Sequence, residues 1–392
     1  MPWRETCPMD QRQKFISDWL RAEWSVSELC ASYGISRKTG YKWLGRYHEG
    51  GLSDLVDQPR GPHLHPNATK ADVEARILEL RHHHPFWGPR KLKKRLERLE
   101  PTTSWPAKST IGEILKRHGL AMARRVRRRT PIYEGPFVGG LSPNDVWAAD
   151  FKGWFKTRDG ARIDPLTVTD CASRYLIRCR AVPETNGINV RGQLTASFQE
   201  LGMPRALRTD NGPPFATVGV GGLSDLSVWL IKLGITPERI RPAHPEENGA
   251  HERMHRTLKQ HTAKPPKANP RAQQEAFDRF RAEYNDERPH EAIEMKTPAQ
   301  VYRPSPRPFP KKLPEVEYPA GSILRLVMGN GTIKVRTKQI YISNSLIGEQ
   351  VRLDELDDGS SIWFGPLQLG KLDLGKEVIK RLPTKVSPMS PV

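Results

Sequence analysis

Arg-Pro-Ala-His-Pro-Glu-Glu-Asn-Gly-Ala-His-Glu-Arg-Met-His-Arg-Thr-Leu-Lys, residues 241–259, sets one carboxylate, Glu252, on a strongly basic helix that follows an Asn-Gly turn. Two chemistries compete for that carboxylate. His251, Glu252 and His255 spell H-E-x-x-H, in which two imidazoles one helical turn apart hold zinc and the glutamate acts as general base. Alternatively, Glu252 is the last of three carboxylates, with Asp150 and Asp210, that hold magnesium for phosphodiester chemistry. The first reading needs a further ligand, for which Glu275 is available. It also places Arg253, Arg256 and Lys259 around a motif that zinc peptidases usually surround with apolar residues.

The two aspartates differ in what their surroundings say. Asp150 closes the run Val-Trp-Ala-Ala-Asp, residues 146–150, so it is expected inside a strand, where aspartate is disfavoured unless it has work to do. Asp210 follows the short strand 206–209 and precedes Asn-Gly-Pro-Pro, which on its own reads equally well as a turn. If the two strands are neighbours, both carboxylates meet at one sheet edge and the helix of Glu252 reaches the same point. Three carboxylates converging without a cation repel one another, and a hard divalent ion removes that penalty while leaving positions for water and phosphate oxygens. Arg256 and Lys259, four and seven residues beyond Glu252, share its helix face, where they can grip phosphates on either side of the reacting one.

The rest of the chain suits such a core. Its 63 Lys and Arg exceed its 44 Asp and Glu by 19, a balance that favours a polyanionic partner, nucleic acid first among them. The four cysteines, Cys7, Cys30, Cys171 and Cys179, show neither zinc-ribbon nor disulfide spacing and fit a reducing compartment, the cytoplasm or nucleoid. No apolar run approaches a membrane span.

Residues 1–58 read as a helix-turn-helix. Ser25 and Glu28 form a capping box, Gly34 makes the turn, and Ser36 caps a second helix that carries Arg37, Lys38 and Lys42 beside Tyr41 and Trp43. A Pro/His-rich linker leads to a second, winged-helix-like unit over 67–122, with helices expected at 73–81, 90–99 and 109–118, the last opened by a Thr110/Glu113 capping box. Two such units would read a longer DNA site than one. His82, His83 and His84 have no partner cluster and are not expected to hold a metal. An Arg-rich linker, 123–140, contains Arg124, Arg125, Arg127, Arg128 and Arg129, a tether able to track phosphates.

From 141 to 303 strands are expected at 146–155, 166–169, 175–182, 206–209 and 235–240, with helices at 190–201 and 223–233 and two more through Glu252 and Phe277. This order suits an α/β fold, a mixed sheet with helices on both faces. A Pro-rich linker, 304–314, precedes a small all-β barrel over 315–380, in which Asn330-Gly331 and Asp358-Gly359 mark hairpins.

These residues carry a resemblance. The blocks 146–151, 208–215 and 241–259 resemble those of the D-D-E integrase-core superfamily, and within it the bacterial insertion-sequence transposases related to retroviral integrases. The resemblance implies an RNase H-like five-stranded mixed sheet and an SH3-like character for the C-terminal barrel. It also implies Asp150, Asp210 and Glu252 as the catalytic, metal-binding triad for two Mg²⁺ or Mn²⁺ ions. The activity implied is cutting the strand at the ends of a mobile element and joining the 3′-OH to target DNA, by a dimer or larger assembly. Asn211, Asn248, Arg253, Arg256 and Lys259 would shape the pocket or hold DNA, with His251 and His255 facing substrate or solvent. The chain departs from retroviral integrases in lacking their N-terminal His/Cys zinc pattern, and its segment between Asp210 and Glu252 is longer, with the surplus expected in the Gly-rich loop 216–222 as a mobile flap. A DNA-binding regulator with an inactive core remains the alternative, ahead of the zinc peptidase.

Overall fold

A computed structural model describes residues 7–57, 68–121, 142–217, 222–240, 249–356, 359–373 and 378–380. The chain divides into two compact units, Met1–Lys70 and Ala71–Val392.

In the first unit, helices α1 (Pro8–Leu20), α2 (Val26–Ser32) and α3 (Arg37–Gly50) enclose Phe15, Ile16, Leu29, Cys30, Trp43, Leu44 and Leu55. The Ser25/Glu28 capping box forms as expected, and Ser36 accepts from the Thr39 N–H at the start of α3. Gly40 is where α3 crosses α2: a Cβ there would collide with the Cys30 sulfur. Trp43, expected beside the basic side chains, is turned into this core with Arg12, Lys42 and Arg46 around its ring, whereas Tyr41 is exposed.

The second unit begins with α4 (Ala71–His83), α5 (Pro89–Leu99) and α6 (Lys108–Arg117) around Ile77, Trp87, Leu92, Leu96 and Ile111. The Thr110/Glu113 capping box does not form. Helix α6 starts at Lys108, behind Ala107, so Thr110 already lies within its first turn. His84, the last of the histidine run, bonds Glu283 at 3.0 Å and stacks on Trp87.

The central sheet contains β1 (Val146–Phe151), β2 (Phe155–Lys156), β3 (Arg162–Asp170), β4 (Leu176–Val182), β5 (Ala206–Thr209) and β6 (Thr236–Arg239). It has six strands rather than five, because Lys152-Gly153-Trp154 interrupts the expected strand 146–155 and leaves β2 as a two-residue pair with β3. The long strands run in the order β4-β3-β1-β5-β6, antiparallel among the first three and parallel from β1 to β6. Helices α7 (Gly187–Leu201) and α8 (Asp225–Lys232) cover one face through Leu194, Phe198, Trp229 and Leu230 against Trp147, Leu166 and Leu207. Helices α9 (Gly249–Thr262) and α10 (Pro270–Ala282) cover Ile163, Leu176 and Cys179 through Met254, Leu258, Phe277 and Phe280. A mixed sheet clad on both faces is what the order of elements implied.

After the short α11 (Pro298–Val301), the C-terminal segment holds β7 (Ile323–Leu326), β8 (Thr332–Val335), β9 (Lys338–Tyr341), β10 (Gln350–Leu356), β11 (Gly359–Phe364), β12 (Leu367–Asp373) and β13 (Val378–Lys380). They form a five-stranded antiparallel sheet, β13-β12-β11-β10-β7, and a separate β8-β9 pair, and no pairing among the described residues closes them into a barrel. The Asn330-Gly331 turn is not a hairpin between β7 and β8. It carries the chain from one sheet to the other, and β8 pairs with β9 across a turn at Arg336, whose φ is +55°. The Asp358-Gly359 expectation falls partly on residues outside the description, but its flanking strands β10 and β11 do pair.

Candidate active site

Asp150 lies near the C-terminal end of β1, opposite Thr167 of β3, and Asp210 directly follows β5, the parallel neighbour of β1 on its other side. The two carboxylates therefore share the C-terminal edge of adjacent parallel strands, beside the point where the sheet changes from antiparallel to parallel, the usual place for a ligand crevice. Asp210 is held by the Gly212 N–H at 3.2 Å, and a Cβ on Gly212 would stand 3.2 Å from the same carboxylate, so the turn favours glycine. Glu252 occupies the first turn of α9, exposed, where a helix N-terminus favours negative charge.

Electrostatics joins these three groups. The Asp150 carboxyl is pushed up to about 7, first by burial, then by the charge on Asp210 and with a smaller part from Glu252, against lowering by the Phe151 backbone and Lys152. All three donors are hard carboxylate oxygens whose repulsion a divalent cation would relieve, the chemistry that suits Mg²⁺ or Mn²⁺, but among the described residues their oxygens do not all lie within 4.8 Å of one another. Lys152 is itself lowered by burial and by Lys259, which places both ammonium groups beside the same edge.

His251 and His255 do not face substrate or solvent. Both are buried, because 251, 254, 255, 258 and 262 form the stripe that α9 packs inward. The Thr167 hydroxyl lies 2.7 Å from His251 Nε2 and 2.6 Å from His255 Nε2, and it donates to the Asp150 carbonyl at 3.1 Å. With its one proton given to that carbonyl, the hydroxyl oxygen accepts from both imidazoles, and His251 Nδ1 takes the Thr169 hydroxyl at 2.9 Å. Burial pushes the imidazoles down to about 3 and about 2, so both are neutral.

His255 Nδ1 is also 3.8 Å from the Asp150 carboxylate, and Asp150, His251 and His255 offer ligand atoms within 4.8 Å of one another. Glu275, the further ligand of the zinc reading, is exposed and 3.5 Å from Arg271, outside that group. The H-E-x-x-H spacing is thus spent mainly on anchoring α9 to β1 and β3.

Arg253, Arg256 and Lys259 are exposed on α9, while the Asn211 amide donates to the Ile240 carbonyl at 2.6 Å and ties the ends of β5 and β6 together. Arg37, Lys38 and Lys42 are exposed on α3. Asn248, Arg124, Arg125, Arg127, Arg128 and Arg129 lie outside the described residues, as does most of the Gly-rich loop. The base of that loop is pinned by the Thr217 N–H and Arg239, both donating to the Gly222 carbonyl. Lys152 and Trp154 sit where the expected strand 146–155 is interrupted, a break that Lys-Gly-Trp after an apolar run signals in the sequence.

Among the described residues no helix is long and apolar enough to cross a membrane. The integrase core domain family matches residues 140–245 and again 233–298. A helix-turn-helix domain family matches 11–63 and a homeodomain-like domain family 39–115. An uncharacterized 31.7 kDa protein of insertion element IS407 from Burkholderia multivorans is 27% identical over 237 residues, covering 60% of this chain and 82% of that protein. A 39.2 kDa protein of insertion element IS476 from Xanthomonas euvesicatoria is 27% identical over 235 residues, covering 59% of this chain and 65% of its own. Among solved structures, a simian T-cell lymphotropic virus intasome bound to PP2A regulatory subunit B56 gamma is 18% identical with a TM-score of 0.38, over 73% of this chain and 91% of that one. The HTLV-2 integrase catalytic core with magnesium is 19% identical with a TM-score of 0.33, over 41% and 98%. The chain carries integrase core domains across its sheet and α9, helix-turn-helix domains ahead of them and likeness to insertion-element proteins, and together these matches support an insertion-sequence transposase of the integrase superfamily.

Proposed function

We propose that the protein cuts a DNA strand at the ends of a mobile element and joins the freed 3′-OH to target DNA, with Asp150, Asp210 and Glu252 as its catalytic carboxylates. The observation that carries this reading is geometric: Asp150 near the end of β1 and Asp210 just after β5, its parallel neighbour, share one sheet edge, with Glu252 on the first turn of α9, and the charges of Asp210 and Glu252 both raise the Asp150 carboxyl. Mg²⁺ or Mn²⁺ held there would polarise the phosphate and activate the attacking oxygen. The chain's own part is to fix that site. Thr167 and the two neutral histidines lock α9 onto β1, so Glu252 keeps its distance from the aspartates. Arg253, Arg256 and Lys259 present a cationic helix face to phosphates on either side of the scissile one.

The units over 1–58 and 67–122 supply DNA recognition, with Arg37, Lys38 and Lys42 on α3 entering the groove and the Arg-rich segment 124–129 tracking phosphates between them and the core. Because two ends must be held for joining, the working form is a dimer or larger assembly on DNA.

Asp150→Asn, Asp210→Asn and Glu252→Gln should each lower strand cutting by at least about a hundredfold, the scale on which losing transition-state charge stabilisation is felt, while DNA affinity is kept. Cutting retained by any of the three would overturn the assignment. A parent protein that binds element ends but never cuts them with Mg²⁺ or Mn²⁺ would favour the regulator.

A further inference from the structure

Beside the carboxylate edge, a cavity of about 170 Å³ opens between the segment after β1 and the C-terminal end of α9. Its walls are apolar, among them Trp154, Leu258 and Phe277, and Lys152, Lys259 and Lys264 also line it. A cavity of roughly 150 Å³ holds one benzene ring, so this one has room for a single flat ring system entering from its open side.

Trp154 is 58% exposed, an unusual position for the largest apolar side chain. The chain places it deliberately: Gly153, at φ +85°, breaks the strand after Asp150, and the Arg162 guanidinium lies 5.3 Å from the Trp154 ring centroid. The ligand chemistry this asks for is a flat, largely apolar ring attached to anionic groups. A nucleotide whose base has left the stack fits both halves, whereas a base still in the duplex presents only its edge. The location fits as well. Lys152 is two residues from Asp150, and Lys259 is seven residues from Glu252, about 10 Å along the same helix face.

We propose that this cavity receives an unstacked base of the DNA strand flanking the scissile phosphate, stacked against Trp154, with Lys152, Lys259 and Lys264 on the adjoining phosphates. The inference deepens the strand-cutting reading and rests on it for the identity of the strand. It makes the transposase melt the end of its substrate locally, and it makes an aromatic side chain outside the carboxylate triad a determinant of where the strand is cut.

Two readouts on the full-length protein test it. In the first, 2-aminopurine is placed at successive positions in single-stranded and end-containing DNA, and its fluorescence is followed on binding without metal. One position should be quenched by the parent protein and by Trp154→Phe, and that quench should be lost in Trp154→Ala. In the second, cutting with Mg²⁺ is compared on intact DNA and on DNA lacking one flanking base. Trp154→Ala should cut intact DNA about tenfold more slowly, the size of one base–aromatic stack, and the two proteins should become equal on DNA abasic at the quenched position. Quenching independent of Trp154, or the same abasic penalty in both proteins, overturns the pocket. If no protein cuts DNA yet the quench depends on Trp154, the base pocket stands and the strand-cutting reading falls.

Discussion

Asp150 is caught between two demands, the burial that fixes it in β1 and the negative charges across the crevice, and both raise its proton affinity. A carboxyl raised from 3.8 to about 7 makes the cation-free fold less stable as pH climbs through that interval, since the unfolded chain ionises without penalty. A divalent ion held by these carboxylates would remove the penalty, and would bind best once the proton has left. Stabilisation by millimolar Mg²⁺ should therefore be small below about pH 6 and full above about pH 8, read as the shift in thermal unfolding between Mg²⁺ and EDTA. Asp150→Asn should flatten this dependence and raise the stability of the metal-free protein. An equal Mg²⁺ shift at both ends of the range would contradict the account. The positions of the three carboxylates in the fold were legible: Asp150 stood where its residue type is out of place, Asp210 was followed by turn residues, and Glu252 sat on a basic helix opened by Asn-Gly. The roles of the histidines were not, since Arg253, Arg256 and Lys259 dominate the reading of that helix. The burial was nonetheless written in the spacing of His251, Met254, His255, Leu258 and Thr262, which is the inward stripe of an amphipathic helix.

At the scale of elements, α8 shows how a short helix can serve two cores. Leu226, Trp229 and Leu230 pack into the central sheet, while Val228 and Ile231, with Leu223 just ahead of the helix, join the core of the C-terminal strands. Lys232 adds an ion pair to Glu349 at 2.6 Å. A helix apolar all round is a buried one, and Asp-Leu-Ser-Val-Trp-Leu-Ile-Lys said as much, but sequence alone did not say that its second face meets residues a hundred positions away. The strand pairing of that segment was hidden for a related reason. Asn-Gly marks a turn, yet whether the strands beside it pair depends on partners such as β10 that the local pattern does not contain. Helix α5 is a parallel case. Its Arg95 and Arg98 bond Glu287 and the Met295 carbonyl, so part of a surface that reads as DNA-facing is spent on docking against the segment after α10. Ile231→Ala should cost about 3 kcal/mol, as other buried Ile-to-Ala changes do, and should act locally. Hydrogen exchange is expected to speed up in β7, β10 and β11 while β1 and β3 stay protected. Uniform loss of protection would mean that the C-terminal strands and the central sheet unfold as one.

For the molecule as a whole, charge and core placement divide the labour. The first unit has a closed core of its own, and the cations of α3 are not needed to complete it: Arg37, Lys38 and Lys42 all keep exposed side chains. Lys42 does lie 4.7 Å from the Trp43 ring centroid, but Arg12 and Arg46 lie against the same indole and can hold it without that lysine. Such side chains are free to exchange counterions for phosphates, and that exchange has a measurable signature, because each phosphate neutralised steepens the fall of log affinity with log salt by about 0.9. Replacing Arg37, Lys38 and Lys42 together by alanine in the full-length chain should make the slope for duplex DNA shallower by about three, with the effect present on any sequence if these residues touch only backbone. The complementary change, Arg256→Ala with Lys259→Ala on α9, should remove about two more. If the recognition unit and the catalytic core hold separate stretches of DNA, the two losses will add; a combined loss no larger than either alone would mean that one set of cations engages DNA only when the other does.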